Sequence, residues 1–417
     1  MEEAGLSEAA EGEPADVVVV NSCTVTEAAD RECFSRLSDL HRENPSSQII
    51  VTGCLVQRDS SRLQGMPGIR LLAGTAQKHR IGEWVRGMME APPGELWVEK
   101  ELSRVYGPLR VSRFEGREKA FVKVQDGCDR ACAFCKIPLV RGRSRSRDLN
   151  EVTKEVGRLV ARGFREIVLT GVAIGLWGRE CAPRRRLSEL LSAVDRIPGR
   201  FRIRLSSLDP RDLDDSLIAA LAGSSKVCRH LHLSLQSGSD PVLARMNRGY
   251  ASGEYQGLVE SVRRFWPDLG LTTDLIAGFP GEDEEEFRQT LRFCRSLRFA
   301  KVHVFPYSRR RGTGACLYKD QLPPDVIRGR AQRLRQAASE TAQHFHERFL
   351  GTRQQMLVER AGGGYTGQFL RVRVEGDSGT VGELVPVEVT GLAPGGLKGK
   401  IFRGDLDKMT HPVPPLN

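Results

Sequence analysis

The 417-residue chain has no charge-free run approaching the roughly 18 residues of a transmembrane helix, so no such span is expected. Its first 16 residues carry six acidic and no basic side chains, which excludes the basic start of a secretory leader. Aromatic residues make up only 6%, too few for a nucleic-acid platform built on many rings. There is no internal repeat, and 43 Gly and 21 Pro without a glycine period exclude collagen-like or low-complexity structure. What remains is ordinary globular composition, 40% hydrophobic and 28% charged, long enough for about three domains at roughly 150 residues each. A net charge of +10 favours a polyanionic partner such as nucleic acid, with plain solubility as the alternative. Ten cysteines without an export signal read as reduced thiols in a cytoplasmic protein, suited to metal or catalytic work.

The chain reads as α/β. VVVVNSC (17–23), IIVTGC (49–54) and GIRLL (68–72) have the β-branched, apolar character of buried parallel strands, with a helical pattern between the first two. They place an open parallel sheet in residues 1–90. Residues 91–113, rich in Pro, Gly and charge, read as a linker. From Ala120, six apolar runs near 120–125, 166–171, 200–207, 230–235, 271–278 and 301–308 alternate with helical patterns, the grammar of a partial (β/α) barrel over 114–345. Short β-like runs between Gly turns predict a small antiparallel barrel over 346–408, before a 409–417 tail.

Cys128, Cys132 and Cys135 stand in GCDRACAFCKIP, just after the first strand of the βα series. Three thiolates on a short loop suit three irons of a four-iron cluster, leaving the fourth open. Zinc would want a fourth protein ligand, and the next cysteine is Cys181. Cys23 and Cys54 fall at the ends of two adjacent predicted strands, the edge where open α/β sheets bind ligands. Buried structural cysteines would explain them equally well.

These motifs resemble the radical S-adenosylmethionine superfamily and, within it, the methylthiotransferases. The resemblance runs through NSCTVTEAAD, VTGCLVQ, the three-cysteine loop, LTGVAIGLWG, RIRLSSLDP, CRHLHLSLQSGSDPVLARMNRGY, TTDLIAGFPGEDEEEF and HVFPYSRRRGTGA, and the C-terminal region is similar to the RNA-binding TRAM barrel. It implies two [4Fe-4S] clusters, S-adenosylmethionine, a tRNA substrate, a reductant protein and a sulfur donor that the sequence does not identify. The radical cluster would be held by Cys128, Cys132 and Cys135, and the auxiliary one by Cys23 and Cys54. VQDGC, CRHLHL and HVFPYS look most like the class that acts on threonylcarbamoyladenosine in tRNA, adding a methylthio group at C2 of the base at position 37. Isopentenyladenosine tRNA and a ribosomal protein are the substrates of the sister classes, and a non-catalytic RNA-binding remnant is the reading from another class.

Two departures from the family pattern stand out. The family's domain opens with a strand bearing a first auxiliary cysteine, in a pattern like TLGCKVN, and this chain shows no such strand. A start site set too far downstream would account for that, as would a natural two-cysteine variant. Lys136 stands where the family usually has an apolar residue.

Other positions carry weaker signals. Gly171 and Gly175, after the second barrel strand, would let the cofactor approach the backbone, or simply end the strand. Ser206, Gln236 and Asp274 are expected at later strand ends, to touch cofactor or substrate, or to cap helices. Glu282 is expected to cap the helix that follows it. The alternating Arg141, Arg143, Arg145 and Arg147 suit phosphate contacts, as do Arg371 and Arg373 in the small barrel, with Tyr365 or Phe369 for stacking. His230 and His232 share a strand face and read as core or pocket residues, since no third metal ligand is evident.

Overall fold

The computed structural model describes residues 6–10, 13–24, 26–87, 95–98, 102, 106–107, 118–376 and 379–402. Most of the expected linker and all of the 409–417 tail lie outside them. The chain divides into two compact units. One gathers Met1–Val111, Gly127–Arg145 and Ser308–Leu317; the other gathers Ser112–Asp126, Ser146–Tyr307 and Tyr318–Asn417. The three-cysteine loop therefore groups with the N-terminal sheet rather than with the 114–345 segment assigned from sequence.

The first unit alternates β1 (Val17–Ser22), α1 (Glu27–Glu43), β2 (Gln48–Gly53), α2 (Cys54–Asp59), β3 (Ile69–Ala73), α3 (Ile81–Gly87) and β4 (Glu95–Trp97). The sheet is wholly parallel, in the order β1-β2-β3-β4. β2 explains why it is covered on both faces. Ile49 and Val51 pack with Leu37 of α1, while Ile50 packs with Trp84 of α3. Thr26 caps α1, its Oγ1 accepting from the Ala29 N–H at 3.1 Å. Two expectations are corrected here. β4 is a strand inside the predicted linker. The four valines of β1, expected to be buried, are each only half-buried, because among the described residues β1 pairs on one side alone. After the cysteine loop comes the short helix α4 (Ile137–Arg141), and the loop is bracketed in sequence by two-residue strands β6 (Gln125–Asp126) and β7 (Arg145–Ser146).

The second unit contains the expected βα series. Its strands are β5 (Lys119–Lys123), β8 (Glu166–Thr170), β9 (Arg202–Leu205), β10 (His230–His232), β11 (Gly270–Ala277) and β12 (Lys301–Pro306). They form two parallel sheets, β5-β8-β9 and β10-β11-β12, joined by a bridge between Leu208 and Leu233. Helices α5 (Leu149–Ala161), α6 (Leu187–Asp195), α7 (Asp215–Gly223), α8 (Asp240–Arg245), α9 (Ser252–Arg263) and α10 (Glu284–Ser296) fill the connections. The apolar core lies between strands and helices, with Ile167, Leu169, Ile203, Leu231 and Leu271 against Val156, Leu190, Leu217 and Val259. Asp283, not Glu282, caps α10: its Oδ1 accepts from the Glu286 N–H at 2.8 Å and the Glu286 carboxylate accepts in return. Glu282 is buried, accepting from the Gly278 N–H and from Arg330 at 2.8 Å.

The long helix α11 (Pro324–Glu347) leads into a closed barrel of β13 (Arg353–Arg360), β14 (Gly363–Thr366), β15 (Arg371–Val374), β16 (Leu384–Ala393) and β17 (Gly396–Ile401). Met356, Val358, Val372, Val387 and Leu397 fill it, with Phe345 and Phe349 from the end of α11. The barrel is not wholly antiparallel as expected, since β15 and β17 pair in parallel. No helix among the described residues is long and apolar enough to cross a membrane.

A buried ion cluster fastens the small barrel to the βα series within this unit. Glu166 is fully buried and accepts from Arg202 Nε at 2.6 Å and Arg204 Nε at 2.7 Å, with Lys119 Nζ at 3.8 Å. The remaining guanidinium N–H groups donate to barrel carbonyls: Arg202 to Tyr365 O at 2.8 Å, Arg204 to Thr366 O at 3.0 Å and Gly367 O at 3.1 Å. Lys119 also sits over the stacked rings of Tyr365 and Phe369. Burial pushes the Glu166 carboxyl up, but Arg202, Arg204 and Lys119 outweigh it and hold it well below the usual carboxylate range.

Candidate cofactor and substrate sites

In the first unit the cysteine loop is shaped by its own backbone. Gly127 has a φ of +74°, and a Cβ there would lie 2.0 Å from the Arg143 carbonyl oxygen, so only glycine fits. The Cys128 N–H donates to Gly142 O at 3.0 Å, and the Cys135 N–H to Cys132 O at 3.0 Å. The Ile137 N–H points at Cys135 Sγ, 3.5 Å away. The RGTGA segment supports the loop from behind, with the Ala315 N–H on Ala133 O at 2.8 Å. All three cysteines are partly exposed and none is in a disulfide. Burial pushes the Cys128 thiol up, so the thiolate form needs a positive partner. Among the described residues no three His, Cys, Asp or Glu side chains converge on a single ion. A four-iron cluster takes each thiolate on a separate iron and wants its ligands further apart, so three thiols on one loop, with an N–H aimed at sulfur, fit it.

Cys23 follows β1 and Cys54 opens α2 directly after β2. The β1–β2 register sets Ser22 opposite Gly53, so the two cysteines leave neighbouring strand ends side by side. Cys54 is buried and Cys23 exposed. Arg141 Nε, at the end of α4, donates to Cys54 Sγ at 3.2 Å. Cys33 on α1 is pushed up by burial, then by the charges of Asp30 and Cys23, which places it within electrostatic reach of Cys23.

A buried charge cluster lies beside these cysteines. Arg310 donates to the Asp30 carboxylate at 2.7 Å, to Thr24 O at 2.7 Å and to Thr24 Oγ1 at 2.8 Å. Arg58 approaches the same carboxylate at 3.8 Å. Lys136, only 5% exposed, has no hydrogen-bond partner for its ammonium among the described residues. Burial, then the charges of Arg310 and Arg58, push it down to about 8.

The predicted phosphate-binding arginines mostly do other work. Arg145 is buried and donates to Arg141 O at 2.6 Å. Arg147 is buried against Glu155, and its carbonyl accepts from Trp177 Nε1 at 2.9 Å. The four do not share a face: Arg145 and Arg147 turn into the protein, where neighbouring groups consume them. Arg143 is the exposed member, its side chain 87% accessible and paired to Asp129 at 3.2 Å.

In the second unit Gly171 and Gly175 are glycines for close packing. A Cβ on Gly171 would lie 2.9 Å from Gln125 O, and one on Gly175 would lie 2.2 Å from Asp212 Cβ. Gln125 Oε1 accepts from the Ala173 N–H at 2.8 Å and so fixes this turn. Ser206 follows β9, and its buried hydroxyl has no partner among the described residues. Gln236 has a φ of +75°, an unusual backbone for a non-glycine residue at a strand end. A vacant hydroxyl and a strained residue at successive strand ends suit a bound cofactor. Asp274 is corrected: it lies inside β11, not at its end.

Asp274 belongs to a polar strip that sequence reasoning only partly anticipated. Its Oδ2 meets His232 Nε2 at 3.2 Å; His232 Nδ1 meets Thr272 Oγ1 at 2.9 Å; Thr272 Oγ1 meets His230 Nε2 at 3.0 Å. The β11–β12 register adds His303 opposite Asp274. Burial, then Arg204 and His232, push His230 well down, and burial, then Lys301, lower His303, so both are neutral imidazoles at pH 7. Alternation along HLHLSL foretold the shared face of the two histidines; nothing local foretold Thr272 or His303.

In the small barrel, Arg360, Arg371, Arg373 and Tyr365 line a cavity of about 290 Å³ beside the Gly362–Gly364 turn. Phe369 faces inward instead, stacked on Tyr365 and lying 4.9 Å from His230.

A partial (β/α) barrel and a three-cysteine loop define a radical S-adenosylmethionine enzyme. Residues 122–294 match the Radical SAM superfamily, and residues 1–74 match the Uncharacterized protein family UPF0004. The fold is shared with the radical S-adenosylmethionine methyltransferase TsrM of Kitasatospora setae (TM-score 0.54, 16% identity, 72% of this chain and 64% of that one). The chain belongs to the radical S-adenosylmethionine tRNA methylthiotransferases. It is 37% identical to the threonylcarbamoyladenosine tRNA methylthiotransferase MtaB of Chlamydia pneumoniae, over 84% of this chain and 79% of that protein. It is 34% identical to MtaB of Bacillus subtilis, over 98% and 93%. The tRNA-2-methylthio-N(6)-dimethylallyladenosine synthase of Carboxydothermus hydrogenoformans is 33% identical, over 96% and 92%. Membership brings a [4Fe-4S] cluster and S-adenosylmethionine with it.

Proposed function

We propose that this enzyme adds a methylthio group to C2 of N6-threonylcarbamoyladenosine at position 37 of the tRNA anticodon loop. The observation that carries the choice of substrate is the polar strip of His232, Thr272, Asp274 and His303. A threonylcarbamoyl group offers amide, hydroxyl and carboxylate partners to such a strip, whereas a prenyl group would leave it unmatched. HVFPYS, which supplies His303, also resembles this class.

When bound, a reduced [4Fe-4S] cluster with S-adenosylmethionine supplies a carbon radical able to activate a C–H bond that no acid–base side chain could. Cys128, Cys132 and Cys135 hold that cluster, and Gly127 and Gly142 keep their loop open toward it. The Gly171–Gly175 turn, the Ser206 hydroxyl and the Gln236 backbone orient the cofactor, with Asp274 turned to cofactor or substrate. Cys23 and Cys54 hold the auxiliary group, with Arg141 donating to the Cys54 sulfur. Arg143, Arg371 and Arg373 contact the RNA backbone; a loop base is cheaply splayed out for reaction. A separate reductant protein delivers electrons, and the work takes place in the cytoplasm, where tRNA resides.

The test is mass spectrometry of tRNA nucleosides from a strain lacking the gene and complemented with this chain. Appearance of 2-methylthio-N6-threonylcarbamoyladenosine is expected. Methylthiolation of isopentenyladenosine alone would overturn the substrate assignment. A Cys132→Ala protein should form no 5′-deoxyadenosine under anaerobic reducing conditions; normal formation would overturn the ligand assignment.

A further inference from the structure

We infer that the second unit carries a phosphate-binding site for the tRNA backbone, in a cavity lined by Arg179, Arg184 and Arg186. The inference rests on the reading of tRNA as the substrate and adds a place where its backbone is held. The cavity, of about 140 Å³, lies between two βα connections. One runs from the end of β8 into α6, the other from the end of β9 into α7. Gly175, Ser188, Asp212 and Asp214 line it beside the three arginines.

The walls are fixed before any ligand arrives. Arg179 Nη2 donates to Asp212 Oδ1 at 2.8 Å, and Asp212 packs so closely on Gly175 that a Cβ there would lie 2.2 Å from the Asp212 Cβ. Arg186 Nη1 donates to Asp214 Oδ2 at 3.1 Å, and the Ser188 and Ser216 hydroxyls meet at 3.1 Å. These contacts tie the two connections together, so little ordering is left for a ligand to impose.

The two carboxylates do not use up the arginines. Asp214 Oδ1 already accepts from the Leu217 N–H at 2.9 Å and from the Ser216 hydroxyl at 2.7 Å. Arg184 lines the cavity from an exposed position and pairs with no carboxylate among the described residues. Glu180 and Glu189 are neighbours in sequence but do not line the cavity, and the Glu189 carboxylate accepts from the Arg186 backbone N–H at 3.0 Å. A guanidinium presents five N–H donors in a fork that matches phosphate oxygens. Surface ion pairing accounts for Arg179 and Arg186. It does not account for Arg184 in the same cavity, whereas an oxyanion accounts for all three.

Placement selects backbone over base. Both connections leave the C-terminal ends of their strands, the end where a (β/α) series carries its chemistry. Yet no residue of β8 or β9 lines the cavity, and of the residues assigned to the cofactor only Gly175 borders it. The cavity therefore stands beside the mouth, not in it. A phosphate flanking the reacting base fits there, and such contacts set register without reading sequence.

The test is equilibrium binding of an unmodified tRNA transcript with adenosine at position 37 to the full chain with its clusters, over a series of potassium chloride concentrations. Arg184→Gln should make the slope of log affinity against log salt shallower by about one unit and weaken binding severalfold at physiological salt. Arg184→Lys, which keeps the charge, should restore the slope. Arg158→Gln removes an exposed arginine of α5 that does not line the cavity and should leave the slope as it is. An unchanged slope in Arg184→Gln, or an equal change in Arg158→Gln, would overturn the site. Sodium phosphate separates the two sources of the anion. A thermal midpoint that climbs with inorganic phosphate in wild type but not in Arg184→Gln, with matching tRNA slopes, would assign free phosphate and overturn the RNA assignment. Wild-type protein that binds no tRNA would overturn the substrate reading itself. The transcript carries no modified base, so the identity of the adenosine derivative does not enter.

Discussion

Two buried clusters in this protein are each centred on a carboxylate with two arginines beside it and a lysine nearby. Around Glu166, every charged group is answered. The arginines divide their N–H groups between the carboxylate and the Tyr365, Thr366 and Gly367 carbonyls, and Lys119 finds Glu359 and two aromatic faces. Around Asp30, Arg310 is shared with Thr24, but Lys136 Nζ, Arg310 Nε and Asp30 Oδ1 have no hydrogen-bond partner among the described residues. Composition alone does not separate a satisfied cluster from an open one. Hydrogen-bond completeness does.

The largest expected effect tests the satisfied cluster. Glu166→Gln leaves the buried Arg202 and Arg204 without their nearest counter-charge and should cost roughly 3–5 kcal/mol in equilibrium unfolding. A loss below 1 kcal/mol, by that same scale, would show the carbonyls alone suffice. Next comes Gly175→Ala, whose methyl group would press on Asp212 and should cost about 1–3 kcal/mol; an unchanged midpoint would mean the turn yields easily. The open cluster should respond with the opposite sign. Lys136→Met removes an unpartnered buried charge and should raise stability by about 1 kcal/mol. A drop there would mark the clusters as equivalent.

Acid should distinguish them as well. The Glu166 carboxyl is held below its unfolded value of roughly 4.3, so its contribution is complete above that pH and fades as pH falls through the folded value. Acid unfolding of wild type should therefore be steeper than that of Glu166→Gln, and parallel curves would refute the linkage. The smallest effect concerns the arginine run. Arg143→Gln should leave stability within about 0.5 kcal/mol while lowering the salt dependence of tRNA binding by about one unit of slope. Arg147→Gln should destabilise instead, by losing Glu155.

Local pattern made much of this legible. The strands of the βα series were readable because each is a short β-branched run between turn residues, and the cysteine loop because its spacing is itself chemical. The arginine run misled because alternation keeps side chains on one face only in a strand; along this loop Arg143 is exposed while Arg145 and Arg147 are buried. Asp274 was expected at a strand end, yet it lies inside β11, which runs on through Ile276 and Ala277 as the 271–278 run already implied. The Asp30 cluster joins residues 280 positions apart, so no window of sequence contains it. Lys136, a charged residue between Cys135 and the apolar start of α4, was the local hint.

The grip on the small barrel has an evolutionary consequence. Arg202 and Arg204 hold residues 365–367 by carbonyl oxygens, which every amino acid possesses. The side chains around that loop are thereby free to change while the joint persists. With Arg371 and Arg373 in the RNA-contacting role proposed above, a lineage could retune which tRNA it prefers without renegotiating the attachment that carries them.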